Sequence, residues 1–133
     1  MENSSIEMPT VTNRLRLGPR DASYAGNLVS GSKAMEIFAD LETELSLIEG
    51  GDEGLCVGYD SVEFLAPLVV GDFVEAQASV TSRGKSSRKV DLKLYKVLGV
   101  DGNGCVVASA EPILVARASA TIAVGRRFAE TSA

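Results

Sequence analysis

Asp21, Tyr24, Gly26 and Asn27 stand within one short stretch, directly before a long amphipathic run that carries Glu36, Asp40, Glu42 and Glu44. The whole segment, DASYAGNLVSGSKAMEIFADLETEL, has two readings. It is an ordinary capped helix, with glycine supplying backbone freedom, or a helix whose N-terminus is held open for a ligand. The chain contains no histidine. Ser-His-Asp and Cys-His catalysis are therefore excluded, as is every zinc site that needs imidazole. Acid–base chemistry must use Asp, Glu, Lys, Tyr or water.

The acids supply the candidates. Glu63 lies in SVEFL between Val62 and Phe64, with Ser61 and Leu65 on its own strand face. If buried among them, its pKa rises and suits it to general acid or base work. Strand alternation alone more often makes such a residue solvent-facing. Asp40 shares a helical stripe with Glu36 and Glu44, which is usually a solvated face. Glu42 lies across the helix, nearer Phe38 and Met35, and is the reserve candidate. No phosphate-loop or dinucleotide glycine pattern is present, and no repeat of solenoid length.

The elements that must position these residues follow from periodicity. Val11 to Leu17 alternates and reads as a strand, broken by GPRD. Ala34, Ile37, Phe38, Leu41, Leu45 and Ile48 fall at helical spacings, which predicts one helix over Gly31–Ile48. Ser30 or Ser32 can cap its start, and EGGDEG ends it with a left-handed glycine. The rest reads as strand: LCVGYDSVEFLAP, GDFVEAQASVTSRG, SRKVDLKLYKVL and CVVASAEPILVARASATIAV. In the third, Val90, Leu92 and Leu94 point inward, and Lys89, Asp91 and Lys93 outward. Pro112 belongs at a bulge or an edge. A strand, a long helix and then four or five antiparallel strands make an α+β layer, in which a curved sheet wraps the helix. Its free edge is most simply covered by a second subunit.

Bulk properties agree with one domain over residues 1–133, with 1–10 and 126–133 flexible. Net charge is −5, from 13 basic and 18 acidic residues, which argues against general nucleic-acid binding. No apolar run is long enough to span a membrane. The start lacks the order of a signal peptide, so a cytoplasmic location is expected. Cys56 and Cys105 are too few for a disulfide framework. Both sit in apolar runs and read as buried thiols.

The motifs carry a resemblance. Phe64, Pro67, Gly71 and Asp72 stand at the places of the F-x-x-P-x-x-x-G-D turn of hotdog-fold thioesterases, and GKSSRKV is similar to the following G-x-S-S/T turn. More closely, DASYAGNLVSGSKAMEIFADLETEL, GDEGL and GYDSVEFLAPLVVGDFVEA resemble the 3-aminobutyryl-CoA ammonia-lyases, small cytoplasmic enzymes of anaerobic lysine fermentation. The resemblance covers roughly residues 14–124. Where that family reads D-A-H-Y-G-G-N, this chain has Ser23 and Ala25 in place of the His and the first Gly.

The resemblance implies a hotdog fold, one long central helix wrapped by a curved antiparallel sheet of five to six strands. It implies elimination of ammonia from a 3-aminoacyl-CoA to give the enoyl-CoA, or the reverse addition. Backbone N–H groups around Gly26 and Asn27 would hold the thioester oxyanion. Glu63 and Asp40 would share the work of taking the α-proton and holding the amine. Asp21 and Tyr24 would touch the ligand. Lys85, Ser87 and Arg88, with Lys89 as a further basic residue, would meet the coenzyme A phosphates, while Arg126 and Arg127 read as a solubilising strand end. The ammonium group leaves as neutral ammonia, so a His-free site suffices, with no metal and no cofactor beyond the coenzyme A of the substrate. Neither nucleic acid nor membrane is an expected partner; a homodimer, or a hexamer as trimer of dimers, is. The alternatives are an acyl-CoA thioesterase and a non-catalytic acyl-CoA-binding module.

Overall fold

The computed structural model describes residues 8–101 and 103–125. Five strands form one antiparallel sheet in the order β1-β5-β6-β7-β3: β1 (Thr10–Arg16), β5 (Phe73–Arg83), β6 (Ser87–Val100), β7 (Val106–Ala123) and β3 (Leu55–Phe64). Two short strands, β2 (Leu28–Val29) and β4 (Leu68–Val69), pair separately. A single helix, α1 (Gly31–Gly50), packs on the inner face of the sheet. No helix is long and apolar enough to cross a membrane among the described residues.

Each element follows from its sequence. Ser30 caps α1 by accepting from the Ser32 N–H at 3.0 Å, and Gly51 ends it in the left-handed region at φ 74°. Ala34, Ile37, Phe38, Leu41 and Leu45 are buried. They meet Val74, Ala76, Ala78, Val80, Val90, Leu92, Leu94, Ala116, Ala118, Ala120 and Ile122 from the sheet in one apolar core. The small alanines at the centre of β5 and β7 let the helix lie close. The expected inward set of Val90, Leu92 and Leu94 is observed. Pro112 lies in the stretch between Ala108 and Ile113, where the β6–β7 register shifts. A residue with no N–H is tolerated where pairing lapses.

Three expectations are corrected. The helix runs two residues beyond Ile48, whose side chain is exposed; its buried stripe turns through Glu42 and Ser46 instead. Residues 9 and 10 are not loose, because the Val80 N–H donates to the Pro9 carbonyl and Thr10 pairs with Ser79. Cys105 is exposed and Cys56 half-buried, because Cys105 falls in the β6–β7 turn that Asp101 organises by accepting from the Asn103 and Cys105 N–H groups. Residues 1–7 and 126–133, also expected to be flexible, lie outside the described residues.

The Gly71-Asp72 turn is structural. Gly71 takes φ 101°, and Asp72 is fully buried. Its carboxylate accepts from the Val69 N–H at 2.9 Å and the Val100 N–H at 3.3 Å, and pairs with Lys96 at 3.2 Å. One side chain thus ties β4 and the end of β6 to the start of β5.

Strand β3 lies at the sheet edge, ten residues long. Leu55, Val57, Val62 and Phe64 on it are exposed. An unpaired, apolar edge of that length is a template for another strand.

Candidate active site

The loop before α1 is shaped by two successive left-handed residues, Gly26 at φ 74° and Asn27 at φ 61°. Asparagine is one of the few side chains that tolerates this region. The resulting turn lets the Ser23 and Tyr24 N–H groups both donate to the Leu28 carbonyl, at 2.9 and 3.1 Å. The Val70 N–H donates to the Asn27 carbonyl at 3.0 Å, which fixes the loop to β4. The Asn27 and Tyr24 side chains are exposed. Asp21 faces inward along the loop. It accepts from the Gly18 N–H at 2.8 Å and pairs with Lys33 on α1 at 3.1 Å. The Gly18 N–H, opposed by partial burial and seconded by Lys33, holds its carboxyl below the ordinary value. Asp21 therefore braces the loop against the helix.

Beside this loop an apolar hollow of about 360 Å³ opens at the start of α1, walled by Val29, Ala34, Phe64, Pro67 and Val115. The Phe64 ring lies over Gly31 so closely that a Cβ there would stand 2.8 Å from it. The helix N-terminus, the Gly26-Asn27 turn and the hollow thus share one end of the molecule.

The acids divide differently from the sequence expectation. Glu63 pairs across the strands with Arg117, both exposed. Their neighbours Val62 and Phe64 lie opposite Ala118 and Ala116, which are buried beneath α1. Glu63 therefore faces the outer side of the sheet, away from the helix. The burial considered for it is absent, because the alternation at the end of β3 sends it outward. Asp40 is exposed on the outer stripe of α1, while Glu36 pairs with Lys33 and Glu44 accepts from Asn13. Within one chain, Glu63 and Asp40 lie on opposite surfaces and form no pair of cooperating carboxylates.

The reserve residue Glu42 occupies the position of interest. It is 4% exposed, set among the apolar residues of the helix face that meets the sheet. The Tyr59 hydroxyl donates to its Oε2 at 2.7 Å, and Cys56 lies beside both. Burial pushes the Glu42 carboxyl above its ordinary value, partly offset by the bonds from Tyr59 and Cys56. The same burial, and the adjacent carboxylate, push Tyr59 and Cys56 up, so both keep their protons at neutral pH. The sequence signal was available: Glu42 is four residues from Phe38 and three from Leu45, on the buried stripe.

Lys85, Ser87 and Arg88 gather at the other end of α1. With Glu49 and Asp52, Lys85 and Arg88 line a hollow of about 690 Å³. Arg88 donates to Glu49 at 3.3 Å and to the Ser87 carbonyl at 2.8 Å. Glu49 also receives Arg83. Ser87 shapes the hairpin by accepting the Gly84 N–H at its carbonyl. Lys89 is paired with Asp60. Arg126 and Arg127 lie outside the described residues. The expected residues thus fall into two groups separated by most of the helix.

Comparison with known proteins agrees with this architecture. Residues 32–101 match the thioesterase superfamily. The chain is 40% identical over 115 residues to a 3-aminobutyryl-CoA ammonia lyase of Acetoanaerobium sticklandii, covering 84% of this chain and 90% of that one. The β-alanyl-CoA:ammonia lyase of Clostridium propionicum superposes with a TM-score of 0.85 at 30% identity, over 90% of this chain and 87% of that one. A hexameric hotdog-fold thioesterase of Campylobacter jejuni shares the fold, with a TM-score of 0.73 at 22% identity over 87% and 83% of the two chains. With its one helix wrapped by an antiparallel sheet, this chain has the hotdog fold and belongs to the thioesterase superfamily, in the family of the coenzyme A ester ammonia lyases.

Proposed function

We propose that the protein is a carbon–nitrogen lyase that eliminates ammonia from a 3-aminoacyl-CoA, such as 3-aminobutyryl-CoA, to give the enoyl-CoA, or catalyses the reverse addition. The observation that carries the mechanism is a buried carboxylate, Glu42, in a protein without histidine. Glu42 takes the α-proton, and the electron pair moves onto the thioester oxygen. The N–H groups of the Gly26-Asn27 turn and of the α1 N-terminus stabilise that oxyanion. Its collapse forms the carbon–carbon double bond and expels the ammonium group as ammonia, the C–N pair leaving with nitrogen. The proton held by Glu42 then passes to solvent or to ammonia. No group needs to protonate the leaving nitrogen, so the reaction calls for no metal or redox cofactor, and none is proposed.

The site spans two subunits. Glu42 lies about 16 Å along α1 from Gly31, at 1.5 Å per residue. Phe64, at the C-terminal end of β3, lies by the start of α1, and Tyr59 lies by Glu42, so β3 runs antiparallel to the helix. Antiparallel pairing of β3 with a second copy places the Phe64 end of one chain beside the Cys56–Tyr59 segment of the other. The oxyanion turn of one protomer then faces the base of its partner. A homodimer is the working unit, and a trimer of dimers its further assembly. A cytoplasmic location accords with this role.

Lys85 and Arg88 are the residues proposed for the coenzyme A phosphates. Replacing both with Ala should weaken binding of a coenzyme A ester measured calorimetrically, and more so at low salt than at high, because charge-assisted contacts are screened. Unchanged affinity at low salt would move the phosphates elsewhere. The proposed reaction itself is tested by supplying 3-aminobutyryl-CoA. The enoyl thioester should appear in the ultraviolet, with no free thiol. Release of coenzyme A thiol instead would make the protein a thioesterase, in which Glu42 activates water at the carbonyl.

A further inference from the structure

Strand β3 changes face twice within five residues. Val62 and Phe64 face α1, so unbroken alternation would turn residues 60, 58 and 56 inward and Tyr59 outward. The register instead shifts between Tyr59 and Ser61 and again between Cys56 and Gly58. Asp60 and Val57 are the extra residues. The first shift turns Tyr59 inward, and the second returns Cys56 to the same face. Both residues therefore pack against the core below Glu42, while Asp60 is turned out to pair with Lys89. Bulges of this kind re-aim side chains next to functional sites.

We propose that Tyr59 is a positioning residue for the lyase reaction: its hydroxyl fixes Oε2 of Glu42 and so sets the orientation in which the carboxylate meets the substrate. The proposal rests on the assignment of Glu42 as the base. Tyr59 donates at 2.7 Å, and a hydrogen bond to the charged form of a carboxyl favours that form. Cys56 is the other titratable group that acts on Glu42 among the described residues; its own thiol is held neutral by burial and by the Glu42 charge. With Oε2 held by the Tyr59 hydroxyl, the carboxylate keeps one orientation.

Tyr59→Phe keeps the ring and its packing and deletes only the donor. The acidic limb of kcat/KM against pH should move up by about one unit, the size expected for losing a hydrogen bond to a charged group. The rate below the limb should then fall about tenfold with KM nearly unchanged. A purely structural role would lower thermal stability and activity at all pH values and leave the limb in place. Infrared titration of the carboxyl band, with Glu42→Gln as the blank, reads the same shift without turnover. An unmoved limb and band in Tyr59→Phe, alongside an inactive Glu42→Gln, would overturn this proposal alone. A Glu42→Gln enzyme with wild-type turnover would overturn the assignment of the base and this proposal with it.

Discussion

Glu42→Gln should abolish most turnover while leaving the fold intact. The substitution keeps the shape of the side chain and an oxygen for the Tyr59 hydroxyl but removes the base. General acid–base groups typically contribute about 10²–10⁴-fold, and the loss should fall in kcat with little change in ester affinity. The same substitution should not destabilise the protein at neutral pH. Burial raises the folded-state pKa of Glu42, so between its unfolded and folded pKa values the native state binds more protons than the unfolded chain. Its contribution to stability is present below the unfolded value and lost as pH rises through the folded one. A neutral Gln escapes that loss. An inactive variant as stable as the parent at neutral pH is therefore the expected pair of results. Glu63→Gln and Asp40→Asn should stay near wild type, since both acids are exposed. Loss of turnover in either, with Glu42→Gln active, would return the base to the sequence candidates.

The second large effect is on stability. Asp72→Ala removes the carboxylate that holds Lys96 and the Val69 and Val100 N–H groups. Breaking a buried ion pair by deleting one partner costs about 3–5 kcal/mol, read as a fall in denaturation midpoint at fixed protein concentration. Adding Lys96→Met should recover part of that loss, because the orphaned ammonium is then gone. A midpoint within experimental scatter of wild type for Asp72→Ala alone would mean that the turn is held by its backbone instead. This places the Gly71-Asp72 pair of the turn in the framework and separates it from the chemistry.

The fold was legible in the sequence because its signals are local and periodic. The 3.6-residue spacing of Ala34 through Leu45 and the two-residue spacing of Val90, Leu92 and Leu94 need no tertiary information. The absence of histidine was equally legible and directed attention to carboxylates. The identity of the base was less so. Glu63 was a candidate only if its apolar neighbours buried it, and cross-strand pairing sends it out with Arg117. Glu42 stood in reserve, across the helix near Phe38 and Met35; what brings it forward is its burial and its bond from Tyr59, turned inward by two bulges that sequence alternation cannot show. The separation of Lys85 and Arg88 from Asn27 was hidden for a related reason. Their distance is set by the length of α1, which residue types and spacing in the chain do not display.

In the proposed mechanism, Glu42 and the Gly26-Asn27 turn make a lyase of a hotdog protein without histidine. The most direct measurement is incubation with crotonyl-CoA and an ammonium salt, followed by mass spectrometry of the thioester pool. The expected product is heavier by one ammonia with the thioester intact, formed in proportion to enzyme and not by Glu42→Gln. Free coenzyme A with crotonate, and no amine adduct, would contradict it.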